Sequence, residues 1–277
     1  MSRISSKKLV GQIIKSLLHL YTKNEAKAIA YRCLDLGWDC SATDILMEKP
    51  VEISDEWESK LGRLHSGEPL QYVMGFEFFR DRKFMVSPDT LIPRPETEEL
   101  ITKILPLIEK QHRVLDVGTG SGCIAVSLGI ETDAAVFAWD ISEGALEIAK
   151  KNAKLLGAQV DFQCQDVFEW EHTKDTWDFI VSNPPYVLDQ EKNEMSPNVL
   201  DFEPHVALFV PDREPLKFYQ TLGDFAWSRL NPGGWLAVEI NRAYGLETEK
   251  LLRQIGFSTT ELHQDFHGND RFVLAQK

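Results

Sequence analysis

The sequence predicts an α/β protein, a parallel sheet with helices on both faces, preceded by a small helical bundle. Three observations carry that prediction. From Arg113 onward short apolar strands alternate with helical stretches, the order expected of a parallel sheet covered on both sides. From Met1 to about Leu70 the apolar residues recur three and four apart, with almost no strand-like alternation. The length of 277 residues and the 43% hydrophobic content suit one large domain, or a small one joined to a larger one, around a packed core, which excludes disorder and fibre.

In the N-terminal stretch Ala26, Ile29, Ala30, Cys33, Leu34 and Leu36 keep helical spacing, and polar breaks such as Ser41-Ala42-Thr43-Asp44 separate the helices. Leu9, Ile13, Ile14, Leu17, Leu18 and Leu20 resemble the apolar run of a signal peptide. Gln12, Lys15, Ser16 and His19 interrupt them at helical intervals, so an amphipathic core helix is expected instead. No stretch approaches the ~20 consecutive apolar residues of a membrane helix, and a cytoplasmic location is expected.

Gln71 to Ile92 turns aromatic and β-branched, with a plausible turn at Asp81-Arg82, and is expected to form a hairpin. The resulting division is a helical domain over 1–72, a hairpin linker over 73–92 and a larger domain over 93–277. Pro93 and Pro95 bracket Arg94. Pro95 suits the first turn of a helix whose opening acids Glu96, Glu98 and Glu99 complement the positive end of its dipole. Strands follow at VLDVG, AVFAWD, VDFQCQD, DFIVSNPP and GWLAVEI, with helices at about Gly122 to Gly129, Ser142 to Leu156 and Pro215 to Leu230. The last two strands, GFSTTELHQ and RFVLAQK, look like an antiparallel hairpin at one sheet edge.

The formal charge is −13, yet residues 1–80 carry 11 basic and 11 acidic side chains, so the other 197 residues carry the whole deficit. Such a body repels a phosphate backbone and favours a neutral or basic protein partner over nucleic acid. Cys33, Cys40, Cys123 and Cys164 form no CxxC pair and have no His at zinc-finger spacing; buried reduced thiols and no metal are expected. The seven histidines show no arrangement suited to metal or general-base chemistry.

Val114 to Val117 run into Gly118-Thr119-Gly120-Ser121-Gly122 and then a helix, a turn whose glycines allow close backbone approach to a ligand at the strands' carboxyl ends. A nicotinamide fingerprint would need glycine where Cys123 stands. Asp140 ends the second strand and can accept from both ribose hydroxyls of a nucleoside. Asp166 ends the third and can meet an adenine amino group, with Val167 or Phe168 against the ring. Each feature alone is a common turn or cap. In this order they describe an adenosine pocket without a phosphate requirement, which suits S-adenosylmethionine.

Asn183-Pro184-Pro185-Tyr186 follows the apolar strand Asp178 to Ser182 at the same sheet edge. The prolines have no N–H, so carbonyl acceptors here come without proline donors, and two in a row stiffen the turn. For a planar NH₂ group, Asn183 Oδ1 and the Pro184 carbonyl can each accept one hydrogen, while Tyr186 packs on the flat group. The chemistry expected is orientation and electrostatic preorganisation of a methyl transfer without a strong base. Asn183, Pro184 and Tyr186 are the candidate catalytic residues, and Pro185 joins them in substrate binding.

DVGTGSG, Asp140 and SNPPY together resemble the class I, Rossmann-like S-adenosylmethionine-dependent methyltransferases that modify exocyclic or amide nitrogens. PLQYVMGFEFF, LIPRPETEEL, FEPHVALF after NPPY and the closing DFHGNDRFV resemble one branch, the HemK/PrmC family of protein-(glutamine-N5) methyltransferases, over nearly the whole length. The resemblance implies methylation of the glutamine in the Gly-Gly-Gln loop of peptide chain release factors, the proteins of translation termination, with S-adenosylhomocysteine as product. It implies cofactor contacts from Gly118 to Gly122, Asp140, Val167 and Asn183, a glutamine clamp from Asn183 to Tyr186, and partner recognition by the neutral bundle. Asn241 stands where the family usually has glycine, and Val210-Pro211 replaces a more glycine-like loop. The alternatives are a ribosomal-protein glutamine methyltransferase, a nucleic-acid amino methyltransferase acting on adenine or guanine, and a non-enzymatic cofactor-binding scaffold. Oligomeric state, and whether Arg94, Glu96 and Glu203 serve the site or only shape a helix start and a loop, stay open at this level.

Overall fold

The computed structural model describes residues 2–277 in two compact units, one of residues 2–76 with Ser196–Phe202, the other of Glu77–Met195 with Glu203–Lys277. Met1, where the expected helical domain begins, lies outside the described residues.

In the first unit the helix Ser6–Leu17 starts where the Ser5 side chain accepts from the Lys8 N–H, and it buries Leu9, Val10, Ile13 and Leu17. Thr22 and Glu25 form a capping box for the helix Lys23–Trp38, and Ser41 with Asp44 forms another for Ala42–Leu46. Helices Trp57–His65 and Leu70–Met74 complete the bundle around Ala30, Cys33, Leu34 and Trp57. The unit also holds a short antiparallel sheet, with Ile4 opposite Val51 in the strands Ser2–Ser5 and Pro50–Ile53. Four-residue strands whose partners lie far apart in sequence leave too little alternation to recognise. Gln71, expected to begin the hairpin, instead lies in the helix that Gly75 ends at φ 81°.

The hairpin runs Phe76–Phe79 and Arg82–Met85. Its turn is Arg80-Asp81, one residue earlier than expected, with φ of 48° and 58°, the left-handed pair that a two-residue hairpin turn demands. Arg80 is held there by its own bonds, its N–H donating to Glu98 Oε1 at 2.9 Å and its guanidinium to Glu131 and to Thr102 Oγ1. Phe79 and Phe84 meet edge to face at 5.8 Å and are buried with Leu100, Ile101 and Phe179, so this segment contributes to the core of the second unit.

The second unit is built on a seven-stranded sheet in the order Val160–Cys164, Ala135–Asp140, Arg113–Val117, Trp177–Ser182, Leu230–Glu239, Asp270–Gln276, Thr259–Gln264. The first five strands are parallel and the last two antiparallel. Apolar residues alternate onto both faces, Val114, Phe179 and Val181 into one core and Leu115, Ile180 and Val238 into the other. Helices Pro95–Ile104, Cys123–Glu131, Glu143–Leu156 and Lys217–Arg229 lie near their expected positions. The helix Gly245–Ile255 was not expected; it buries Gly245, Thr248 and Leu252. Chain order reverses between Arg113–Val117 and Trp177–Ser182, and this switch point is where an open α/β sheet receives ligands. Among the described residues no helix is long and apolar enough to cross a membrane.

Candidate functional site

At the switch point Val117 stands level with Trp139 on one side and Ser182 on the other, so the loops after all three strands open at one edge. The Ser182 hydroxyl donates to the Val117 carbonyl at 2.7 Å and ties the two central strand ends together. In the glycine loop Gly118, Gly120 and Gly122 take φ of 74°, 56° and 80°, which L side chains adopt at a cost. At Gly122 a Cβ would also stand 3.0 Å from Ala149 Cβ, so a side chain there would require loop and helix to give way.

The loop is pinned from outside. Gly118 and Thr119 N–H donate to the Trp139 carbonyl at 2.8 and 3.0 Å. Asn152, wholly buried in the helix Glu143–Leu156, donates to the Ser121 carbonyl at 2.8 Å and to the Met85 carbonyl at 3.0 Å, and accepts from the Met85 N–H at 2.8 Å. The sequence reading passed over Asn152. A polar residue on an otherwise apolar helical face was the available signal.

A cavity of about 330 Å³ opens here, lined among others by Gly118 to Ser121, Asp140, Asp166, Val167 and Asn183 to Pro185. Gly122 is absent from the wall, and its part is to let the helix close on the loop. Asp140 accepts from the Gly120 N–H at 2.8 Å and the Ser142 N–H at 2.9 Å, bracing the loop with the carboxylate proposed for the ribose. Burial pushes its pKa above the ordinary carboxylate value against those bonds. Asp166 lies two residues past the end of its strand and caps a short helical turn, where its Oδ1 accepts from the Phe168 N–H at 2.8 Å. Val167, Phe168, Phe218 and Leu222 add an apolar wall, with the Phe168 and Phe218 rings 5.0 Å apart. Phe218 and Leu222 come from the helix Lys217–Arg229 and were not foreseen. The acids Asp140 and Asp166 and the apolar side chains beside them on the cavity wall fit the ribose and adenine of S-adenosylmethionine.

Asp116, beneath the loop, was also missed. Its Oδ2 accepts from the Thr119 hydroxyl at 2.6 Å and the Ala125 N–H at 3.1 Å, while buried Oδ1 has no partner among the described residues. Burial raises its pKa to about 7.

The Asn183-Pro184-Pro185 corner lines the same cavity, but Tyr186 does not. The Tyr186 hydroxyl donates to Glu239 Oε1 at 3.0 Å, and its ring packs against the core. Packing of Tyr186 on a flat substrate group therefore gains no support from this geometry. Burial first, and then the neighbouring Glu239, hold the phenol pKa well above 10. Asn183 donates from Nδ2 to Thr97 Oγ1 at 3.1 Å. Among the described residues no group donates to Asn183 Oδ1 or to the Pro184 carbonyl.

Arg94 lines the cavity and pairs with Glu203 at 2.6 Å, and the other oxygen of Glu203 accepts from the Ile92 N–H at 3.2 Å. Glu203 is thus the buried anchor of the Leu91–Arg94 wall rather than a loop shaper alone. Glu96 is half-buried and off the cavity wall. Asn241 has φ −65°, so nothing there requires glycine. It donates from Nδ2 to the Tyr186 carbonyl at 3.1 Å and to Glu191 Oε2 at 3.0 Å. Val210 stands opposite Leu188 in a short parallel pair.

Comparison with known proteins bears on this geometry. Residues 96–200 match the family described as Methyltransferase small domain. A release factor glutamine methyltransferase of Bacteroides thetaiotaomicron is 45% identical over 98% of this chain and 99% of its own length. Proteins of the same name from Flavobacterium psychrophilum and Neisseria gonorrhoeae are 38% and 41% identical, over 95% and 83% of this chain and 95% and 84% of their own lengths. In fold, the chain resembles a methyltransferase from Pyrococcus furiosus, with a TM-score of 0.52 at 18% identity over 70% of this chain and 87% of that one. It likewise resembles a 16S rRNA N2 G1207 methyltransferase of T. thermophilus, with a TM-score of 0.51 at 18% identity over 73% and 49%.

Proposed function

The chain belongs to the release factor glutamine methyltransferase family, and from that premise we propose that it methylates the side-chain amide nitrogen of the glutamine in the Gly-Gly-Gln loop of peptide chain release factors. S-adenosylmethionine supplies the methyl group and leaves as S-adenosylhomocysteine. The observation that carries the reading is the acceptor-only corner, Asn183 Oδ1 and the Pro184 carbonyl, on the wall of the cavity that the glycine loop shapes.

The two acceptors would take the two amide hydrogens, holding the nitrogen in place and favouring the positive charge that builds on it as the C–N bond forms and the C–S bond breaks. The surplus N–H proton leaves to water, and no base is built into the corner. Orientation contributes up to ~7–11 kcal/mol in favourable cases, while one hydrogen bond is worth about 1 kcal/mol, so positioning dominates. The Asp140 rim and the Val167–Phe168 wall would hold the nucleoside. The first unit, near charge balance, would recognise the protein partner. The reaction would take place in the cytoplasm.

The test is methyl transfer from labelled S-adenosylmethionine to purified release factor, followed by peptide mapping, with ribosomal proteins and nucleic acid as alternative acceptors. Asn183→Ala is expected to cut turnover at least ~100-fold with cofactor affinity nearly intact, the size seen when one preorganised polar group is removed. Asp140→Ala is expected to weaken cofactor binding first. Full turnover by the Asn183 variant at saturating cofactor would remove the clamp, and label in ribosomal protein or nucleic acid alone would replace the substrate.

A further inference from the structure

Behind the corner lies a buried chain of hydrogen bonds. Asn183 Nδ2 meets Thr97 Oγ1 at 3.1 Å, Thr97 Oγ1 meets Glu239 Oε2 at 2.7 Å, and the Tyr186 hydroxyl meets Glu239 Oε1 at 3.0 Å. Thr97 and Glu239 are 2% and 1% exposed, so water does not substitute for these partners. Thr97 lies on the cavity wall with Asn183, and Glu239 lies off it; the methyl transfer proposed above makes no use of Glu239 or of the Thr97 hydroxyl.

We propose that Thr97 and Glu239 are positioning residues that fix which way round the Asn183 carboxamide sits, and so make the corner select an NH₂ donor over a carboxylate. The argument is one of donor and acceptor inventory. A carboxylate only accepts, so the single hydroxyl hydrogen of Thr97 is committed to Glu239. Thr97 Oγ1 can then only accept from Asn183, which requires Nδ2 to face inward and Oδ1 to face the cavity. The reversed carboxamide would set two oxygens against each other at about hydrogen-bond distance and leave a buried contact unpaired, a penalty of ~1–3 kcal/mol or more. With the carboxamide locked, a glutamine presents N–H to Oδ1, whereas a glutamate presents a charged oxygen to the same oxygen. The two side chains have almost the same shape, so size cannot tell them apart.

This inference rests on the glutamine reading, and the test separates the two. Full-length enzyme is assayed with release factor carrying its natural glutamine, and its affinity is measured for the same release factor with that glutamine changed to glutamate. Thr97→Val keeps the shape and removes the hydroxyl, freeing the carboxamide to turn and offer Nδ2 to the carboxylate. The expected result is about tenfold tighter binding of the glutamate form, a change of 1.4 kcal/mol. Turnover on glutamine should fall about twofold or more, with cofactor affinity unchanged. Thr97→Ser, which restores the hydroxyl, should restore both values. Glu239→Gln can donate toward Thr97 and turn the chain round, so it should tighten glutamate binding in the same direction even if the valine variant does not fold. Damage to the fold does not create affinity for a new ligand. Unchanged or weaker glutamate binding in both variants overturns the proposal while leaving the glutamine reading in place. Absence of glutamine methylation by the unaltered enzyme overturns that reading itself.

Discussion

Arg94 and Glu203 form an ion pair whose two ends are unequally buried, and that asymmetry predicts an unequal response to losing either partner. The Glu203 side chain is 1% exposed and that of Arg94 32% exposed. Arg94→Ala leaves a deeply buried carboxylate with only the Ile92 N–H at 3.2 Å as its remaining partner. Removing one partner of a buried pair costs ~3–5 kcal/mol because the other charge is stranded. Glu203→Ala strands a guanidinium that already reaches solvent, so the loss is the bond and the orphaned Ile92 N–H, ~1–3 kcal/mol. Arg94→Ala should therefore be the more destabilising by about 2 kcal/mol, and the double variant should recover most of that difference because no charge is left stranded. Urea unfolding of the full chain at pH 7, with hydrogen exchange reporting on the second unit, measures all three. Since Leu91 to Arg94 line the cavity, cofactor affinity should fall in parallel. A Glu203 variant at least as unstable as the Arg94 variant, or a double variant worse than either, would refute the reasoning.

Gly122→Ala combines a left-handed φ of 80° with a Cβ 3.0 Å from Ala149 Cβ; ~1–2 kcal/mol of backbone cost and ~1–3 kcal/mol of overpacking should appear as a lower melting temperature and weaker cofactor binding. Asn152→Ala removes three bonds at once, so a loss of ~3 kcal/mol and a looser glycine loop are expected, read by urea unfolding and by exchange at Ser121. Asp116, with a pKa raised from 3.8 to about 7, favours the folded state when protonated. Its contribution is complete below pH 4 and is lost as pH rises through 7, by up to ~4 kcal/mol. Stability measured from pH 5 to pH 8 should fall in the unaltered protein, and this slope should become shallower in Asp116→Leu, with the remainder left to the other buried acids Asp140 and Glu239.

The sheet was legible because its strands are short apolar runs separated by helical periods, and parallel strands buried on both faces need no partner to be recognised. The placement of the glycine loop, Asp140 and Asn183 on one cavity wall was legible because its signal is local, a turn or a strand end followed by a polar group. What stayed hidden depends on distant partners. The Ser2–Ser5 and Pro50–Ile53 strands exist only through each other. The Arg80-Asp81 turn is set by Glu98, Glu131 and Thr102, and residue type alone favoured the neighbouring dipeptide. The helix Gly245–Ile255 opens on glycine without a side-chain cap, so its start carries little signal. The place of Tyr186 off the cavity wall was hidden for the same reason, since nothing in NPPY reveals that its hydroxyl is spent on Glu239.

Glu239 shows how a residue far along the chain sets the chemistry of the corner. Val238 stands opposite Ser182 in the parallel pair of strands, so the next residue on each side, Glu239 and Asn183, emerges at the same level of the sheet edge. Burial raises the Glu239 pKa, while the hydrogen bonds from Thr97 and Tyr186 and the charge of Arg271 act against that rise. A neutral acceptor in its place would relieve the desolvation but could also donate, and the direction of the bonds running to Asn183 would no longer be determined. The cost of a charge in an apolar strand is thus tied to a single property, the inability of a carboxylate to donate, and the sheet register transmits that property to the Asn183 amide on the cavity wall.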